Sequence, residues 1–376
     1  SAGSPFPLLR KVLKDFALPK DENAKLAFGP GMIGYLAYDL GTWIEPTVPH
    51  SAHNDIALPA MFLPLYDHLL LLDHQEQRAW GIAAGLKNSS KPPDAWLEEM
   101  AEWVAAGTGP EENSGPQVAA EPQFSCNFSR REYLMAVAQA REYIAAGDIF
   151  QVNLSQRFTS ECDLEPAQVY LRLRRENPAP FSAFLGLGGD RAVLSSSPEL
   201  FLKVGDGRVL TRPIKGTRPR RPTDEPFNAV MQEQLLASEK DAAELVMIVD
   251  LERNDLGRVC DYGSIHVTEP RALEAYASVH HSVASIEGTL FADADLVDLL
   301  KATFPGGSIT GAPKVRAMQI IDELEPTRRS VYTGAIGHIG LDGRMALNIA
   351  IRTLIQMGRQ VHMQVGGGIV ADSTPG

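Results

Sequence analysis

One stretch restricts the architecture more than any other: "GAIGHIGLDGRMALNIAIRTLIQMGRQVHMQVGGGIV", residues 334 to 370. Apolar segments interrupted at Asp342-Gly343 and again at Met357-Gly358-Arg359 read as an antiparallel meander with two tight turns. Turns this short join only antiparallel neighbours, because a parallel connection needs a crossover of a dozen residues or more. Upstream, hairpins and long helices arrive in blocks, without regular strand–helix alternation. The expected class is α+β.

The helical segments carry their own start signals. "SRREYLMAVAQAREYIAAGD" is amphipathic and opens on Ser129, with Glu132 three residues on. "SEKDAAELVMIVDLERNDLG" opens on Ser238 with Asp241 in the same relation and stops at Gly257. "PDAWLEEMAEWVAA" is a third helix, preceded by strand-like "MIGYLAYDL" and "LPLYDHLLLLDH". Residues 105–123, "AAGTGPEENSGPQVAAEPQ", are rich in Gly, Pro and Glu and lack an apolar period, which reads as a linker or long surface loop. The expected organisation is an N-terminal subdomain over 1–104 and a larger region over 124–376, with no internal repeat.

Composition narrows the function. The 376 residues are 44% apolar and 22% charged, ordinary for a soluble globular protein. A formal net charge of −12 argues against a general nucleic-acid binder. Cys126, Cys162 and Cys260 lie far apart, which suits a reduced, cytoplasmic protein better than a disulfide scaffold or zinc site. No apolar run approaches the roughly 20 residues that span a bilayer, so no membrane association is expected.

Against that acidic background "TRPIKGTRPRR" stands out, with Lys215 among Arg212, Arg218 and Arg220. "AVLSSSPELFLKVGDGRVLTRPIKGT" reads as a hairpin. A three-residue turn at Gly205-Asp206-Gly207 sets Glu199 opposite Pro213. Glu199 and Lys215 then project from one side as diagonal neighbours, about 7–8 Å apart at the backbone. A two-residue turn would put them on opposite faces. By itself such a pair reads as a surface ion pair. Flanking prolines, a glycine that lets backbone approach a ligand, and arginines that lower the amine's proton affinity by like charge favour a reactive lysine.

Other constellations have two readings each. Asp241 and Glu244 share a helix face, either as first-turn carboxylates favoured by the helix dipole or as a site for a hard cation such as magnesium. "FPGGSITGAPK" fails the Walker pattern, yet its amides suit another anion. Gly366, Gly367 and Gly368 offer a second set of open amides. Arg352 interrupts the apolar strand "IAIRT" and wants a carboxylate. His280 and His281 lack a third ligand at zinc spacing. Together these residues describe a polar, anion-binding cleft with a reactive lysine and an acid.

The series "GDIFQVNLSQRF", "NPAPFSAFL", "SSPELFL", "PIKGTRPR", "SEKDAAELVMIVDLERNDLGR", "GGSITGAPKVRAMQIIDELEP", "YTGAIGHIG", "NIAIRT" and "GGGIVADS" resembles the chorismate-utilising enzymes, which include anthranilate and isochorismate synthases. The resemblance runs from about residue 125 to the end, in family order, with "GYLAYDLG" before the linker. It implies an anthranilate-synthase-like fold of largely antiparallel sheets packed face to face with helices outside. Gln151 with Lys215, in place of a lysine at 151, points to amination of chorismate at ring carbon four. The alternatives are the anthranilate reaction or a non-catalytic chorismate-binding subunit. The resemblance implies Lys215 as nucleophile and Glu199 as general acid. Gly216, Thr217, His281, Ser308, Tyr332, Arg352, Gly366 and Gly368 would contact chorismate. Glu244 would ligate Mg2+, with Asp241 nearby. The implied partners are chorismate, ammonia and a glutamine amidotransferase subunit. By the same resemblance the chain looks incomplete at its start and cut short after Gly376, where the second magnesium glutamate is expected.

Overall fold

A computed structural model describes residues 3–19, 26–107 and 123–375. Most of the expected 105–123 linker lies outside those residues. The class is α+β. Among the described residues, ten strands form one sheet, seven a second and two a separate hairpin. Neighbouring strands pair antiparallel throughout.

The capping signals act as the sequence suggests. Ser129 and Glu132 close a reciprocal capping box on the helix Arg130–Ala145. Ser238 accepts the Asp241 amide at 3.2 Å to start the long helix Glu239–Gly257. This helix turns Leu245, Ile248, Val249 and Leu256 inward and packs on the strands Ile214–Pro219 and Val279–Thr289.

Strand Gly31–Leu36 shows how the layers stack. It pairs with Ala335–Gly340, so N-terminal and C-terminal residues share the ten-stranded sheet. Its Leu36 joins the larger core with Leu202, Leu245, Ile320 and Leu347. The adjacent Tyr35 points to the other face and meets Ile336, together with Val193 and Ile355 of the seven-stranded sheet. One face of the large sheet thus packs under helices and the other against the second sheet, giving a core that buries both.

The meander needs correction. Its turns fall at the expected positions, but it is not one sheet. Ala335–Gly340 and Met345–Ile349 belong to the ten-stranded sheet, whereas Thr353–Met357 and Gln360–Ile369 belong to the seven-stranded one. The chain changes sheet at Ala350-Ile351-Arg352, where Arg352 takes a φ of 50°. Arg352 therefore sits at a corner between strands, not inside one. A second change of sheet occurs at Pro198-Glu199, between Arg191–Ser197 and Leu200–Gly205. The two corners are tied together. Ser197 Oγ donates to the Ile349 carbonyl at 2.6 Å, and the Ile349 amide donates to the Glu199 carbonyl at 3.1 Å. The Ser196 amide donates to the Arg352 carbonyl at 3.0 Å.

No described helix is long and apolar enough to cross a membrane. The three cysteines are free.

Candidate active site

The hairpin that leads to Lys215 turns in two residues, not three. Gly205 pairs with Arg208, leaving Asp206 and Gly207 in the turn with φ of 51° and 75°. Both angles are positive, as a type I′ turn requires. That turn alone would separate Glu199 and Lys215 onto opposite faces. A bulge between Leu200 and Lys203 restores the alignment, so Leu200 faces Arg212 as the longer loop would have set it.

Lys215 itself lies in the next strand, Ile214–Pro219, which pairs with Val279–Thr289 and carries its own bulge between Ile214 and Thr217. Gly216 sits in that bulge at φ 87°. A Cβ there would stand 2.9 Å from Leu235 Cδ1 and 3.0 Å from Asp241 Cβ. Within the chain, then, the glycine beside the lysine serves close approach of the helix Glu225–Ala237, which carries Leu235, and of the long helix, which carries Asp241.

The bulge directs Lys215 to Ser308. Its Nζ donates to the Ser308 carbonyl at 2.9 Å, while Ser308 Oγ donates to Glu199 Oε1 at 2.6 Å. Glu199 is 4% exposed, and the Ile214 amide also points at it from 3.5 Å. Burial pushes the Glu199 carboxyl above the usual carboxylate range, against the pull of Ser308 and Lys215. Burial lowers the proton affinity of Lys215, and Glu199, Glu244 and Glu252 oppose it.

The arginines do not act as expected. Arg212 pairs with Glu274 at 2.5 Å, and Arg218 with Asp241 at 3.0 Å. Arg220 donates to the Tyr276 carbonyl at 3.0 Å. Each positive charge already has a local partner, so desolvation, not like-charge repulsion, lowers the lysine.

A second cluster continues along the same strand. Thr217 Oγ1 stands 2.9 Å from His281 Nδ1, and Arg352 donates to His281 Nε2 at 3.2 Å. Burial and the adjacent guanidinium push His281 down to about 4, so it stays neutral. Arg352 also donates to Asn177 Oδ1 at 3.4 Å. Among the described residues its guanidinium, although half-buried, forms no ion pair.

Tyr332 is buried with its hydroxyl 3.0 Å from where a Gly366 Cβ would be. Gly366 and Gly368 lie in Gln360–Ile369, paired through one edge with Ser155 and Asn153. The pairing of that strand with Thr353–Met357 ends at Met363, so its second edge is open at the glycines. By contrast, the glycines of "FPGGSITGAPK" serve packing: a Cβ on Gly306 would strike Ile349, and one on Gly307 would strike Leu251.

The long helix brings Asp241 and Glu244 to the lysine strand. Asp241 is engaged by Arg218, and among the described residues the one ion pair of Glu244 is with Lys240 at 3.9 Å. Among the described residues no group of three or more His, Cys, Asp or Glu is arranged to hold a metal. Glu244 suits a magnesium ion that keeps waters and substrate oxygens as its other ligands. It does not suit an ion caged by protein alone.

The model of the chorismate binding enzyme family matches residues 6–376. The chain belongs to that family. Among chorismate-binding relatives, aminodeoxychorismate synthase component 1 of Klebsiella aerogenes is 42% identical over 373 residues, 99% of this chain and 79% of that one. Anthranilate synthase component 1 of Pseudomonas putida is 39% identical over 355 residues, 93% and 71% of the two chains. The crystal structure of anthranilate synthase component I from Streptococcus pneumoniae TIGR4 superposes with a TM-score of 0.86 at 32% identity, covering 100% of this chain and 82% of that one. The anthranilate-synthase-like fold expected from sequence is the fold observed.

Four residues around the site were not singled out by the residue pattern: Asn177, Glu325, Arg329 and Glu252. Asn177 lies far from Arg352 in sequence. Glu325 and Arg329, at i and i+4, form a fully buried pair at 2.7 Å, with Arg329 Nη1 also donating to the Ile309 carbonyl beside Ser308. Glu252 accepts from Thr211 Oγ1 at 2.9 Å inside the core. Glu325 and Arg329 stand four residues apart, but the helix Lys314–Leu324 ends before Glu325, so no helical face displays the pair.

Proposed function

We propose that the chain aminates chorismate at ring carbon four with ammonia, the activity named in its aminodeoxychorismate synthase component 1 relatives. The observation that carries this reading is a lysine of lowered proton affinity linked through Ser308 to a buried glutamic acid whose carboxyl is pushed above the usual carboxylate range. Lys215 Nζ attacks ring carbon two, both ring double bonds shift, and the carbon-four hydroxyl leaves as water with the proton of Glu199. Ammonia then bonds to carbon four, both double bonds return, the carbon–Lys215 bond breaks, and the new ammonium gives a proton back to Glu199. Arg352, which forms no ion pair among the described residues, receives a substrate carboxylate, oriented by neutral His281 with Thr217. Tyr332 and the open edge at Gly366 and Gly368 supply further hydrogen bonds. Glu244 would hold Mg2+, with Asp241 behind it. Bound there, the ion supplies charge that neutralises a carboxylate of a dianionic substrate.

Ammonia comes from a glutamine amidotransferase subunit in this reading, and the reaction takes place in the cytoplasm. No described cysteine resembles a glutaminase nucleophile. Cys260 is buried with its thiol pushed up to about 11, and Cys126 faces Asn127 and Gln156. The test is product analysis with chorismate, ammonia and magnesium, then with glutamine in place of ammonia. Aminodeoxychorismate from ammonia, with glutamine used only when the second subunit is added, supports the proposal. Anthranilate as product, or glutamine-dependent turnover by this chain alone, overturns it.

A further inference from the structure

Behind Lys215 lies a carboxyl that the chemistry above does not use. Glu252 follows Glu244 and Ile248 at four-residue spacing on the long helix, so it continues their stripe two turns deeper. It is 7% exposed. Its one hydrogen-bond partner among the described residues is the neutral hydroxyl of Thr211, on the strand Arg208–Arg212. Lys314, a cation on the neighbouring helix Lys314–Leu324 that acts on Glu252, is committed elsewhere: its Nζ pairs with Asp255 and donates to the Thr303 carbonyl at 2.7 Å. A cavity of about 10 Å³, lined by Thr211, Glu252, Asp255, Thr303, Phe201 and Gly307, adjoins the carboxyl. That is room for one water molecule.

We propose that Glu252 is a positioning residue for Lys215, a carboxylic acid kept protonated behind the lysine so that the amine faces one interior negative charge fewer. The proposal rests on Lys215 being the nucleophile. A buried carboxyl with a hydroxyl partner and no ion pair favours its neutral form, because an uncompensated interior charge is expensive. The groups that face it agree. Glu199 and Asp255 disfavour a further negative charge, and Lys314 is balanced by Asp255. Burial pushes Glu252 up to about 8. Were it ionised, its charge would favour the ammonium form of Lys215 and blunt the nucleophile.

The test is competitive labelling of Lys215 with acetic anhydride from pH 6 to 10, read by peptide mass spectrometry, in wild type and Glu252→Gln. Glu252→Met, which also cannot ionise, is run alongside in case the glutamine variant is misfolded. Below pH 8 the curves should coincide, since the wild-type group is neutral there. Above pH 8 Lys215 should label faster in the variants, by up to about tenfold. The rate of chorismate amination at fixed free ammonia should diverge at the same pH. Superimposable labelling across the range would overturn the proposal. So would curves already separated at pH 6, which would make Glu252 a charged partner. Failure of wild type to aminate chorismate would remove the functional reading, while labelling would still decide the state of Glu252.

Discussion

Glu199 and Lys215 form no direct ion pair. They meet through Ser308, whose hydroxyl donates to the glutamate and whose carbonyl accepts from the lysine. A direct contact would stabilise carboxylate and ammonium together, the wrong state for the proposed acid and nucleophile. With one residue between them, burial raises the Glu199 carboxyl and lowers the proton affinity of Lys215. The partition also explains why the site sits at two sheet-switching corners, where backbone and side chains of both sheets converge.

Lys215→Ala should reduce amination by at least about a hundredfold while the fold persists, because the covalent step needs the amine. Lys215→Arg should restore little, since guanidinium is not a nucleophile at neutral pH. Steady-state rates with ammonia, beside circular dichroism, measure both. Near-normal turnover of the arginine variant would end the covalent role.

For Glu244→Gln the expected loss is joint. If Glu244 served only the helix dipole, the change would cost about 0.3–1 kcal/mol of stability and leave activity alone. As a ligand to magnesium that also meets a substrate carboxylate, it should weaken metal and chorismate binding together. Magnesium titrations with and without chorismate separate the two. Unchanged affinities in the variant would return Glu244 to the helix.

Gly216→Ala places a methyl group against Asp241 and Leu235 at a positive φ. We expect a loss of about 1–3 kcal/mol in stability. Activity should fall by more than the unfolded fraction explains, because the bulge that aims Lys215 must shift. Denaturant unfolding and rates on the same preparation check it. Wild-type behaviour in both would show that the bulge tolerates a side chain.

Arg329→Ala should be more damaging than its distance from Lys215 suggests. It leaves Glu325 buried without its partner, a loss of about 3–5 kcal/mol. It also releases the Ile309 carbonyl next to Ser308. The double variant Arg329→Met, Glu325→Leu should recover much of the stability, as followed by thermal unfolding. Equal instability of single and double variants would refute the charge argument.

The pH dependence of stability should carry the signature of His281. Its folded pKa, about 4, lies below the ordinary value of 6.5. The unfolded chain therefore binds more protons in between, and the folded state loses stability as pH falls through that window. Full loss is on the order of 3 kcal/mol, reached below pH 4. His281→Gln should abolish this part of the slope. Parallel stability curves for the two proteins between pH 7 and 4 would contradict it.

Much of the local structure was legible from the residues. The helix starts at Ser129 and Ser238 and the turns at Asp342-Gly343 and Met357-Gly358-Arg359 depend on neighbours a few positions apart, which sequence displays directly. The motif series likewise determined the family and its fold. Tertiary structure decided the rest. Whether Glu199 and Lys215 share a face turned on a bulge at Leu200–Lys203, and strands in both sheets are apolar enough that no pattern marks where the chain crosses between them. Arginines that looked like a repulsive cluster found carboxylates and carbonyls brought from distant strands and helices. Nothing in the residue pattern singled out Glu252, which folding buries within reach of the charge on Lys215. Proton affinity is set by burial and by which charges come close in space, and neither exists until the chain has packed.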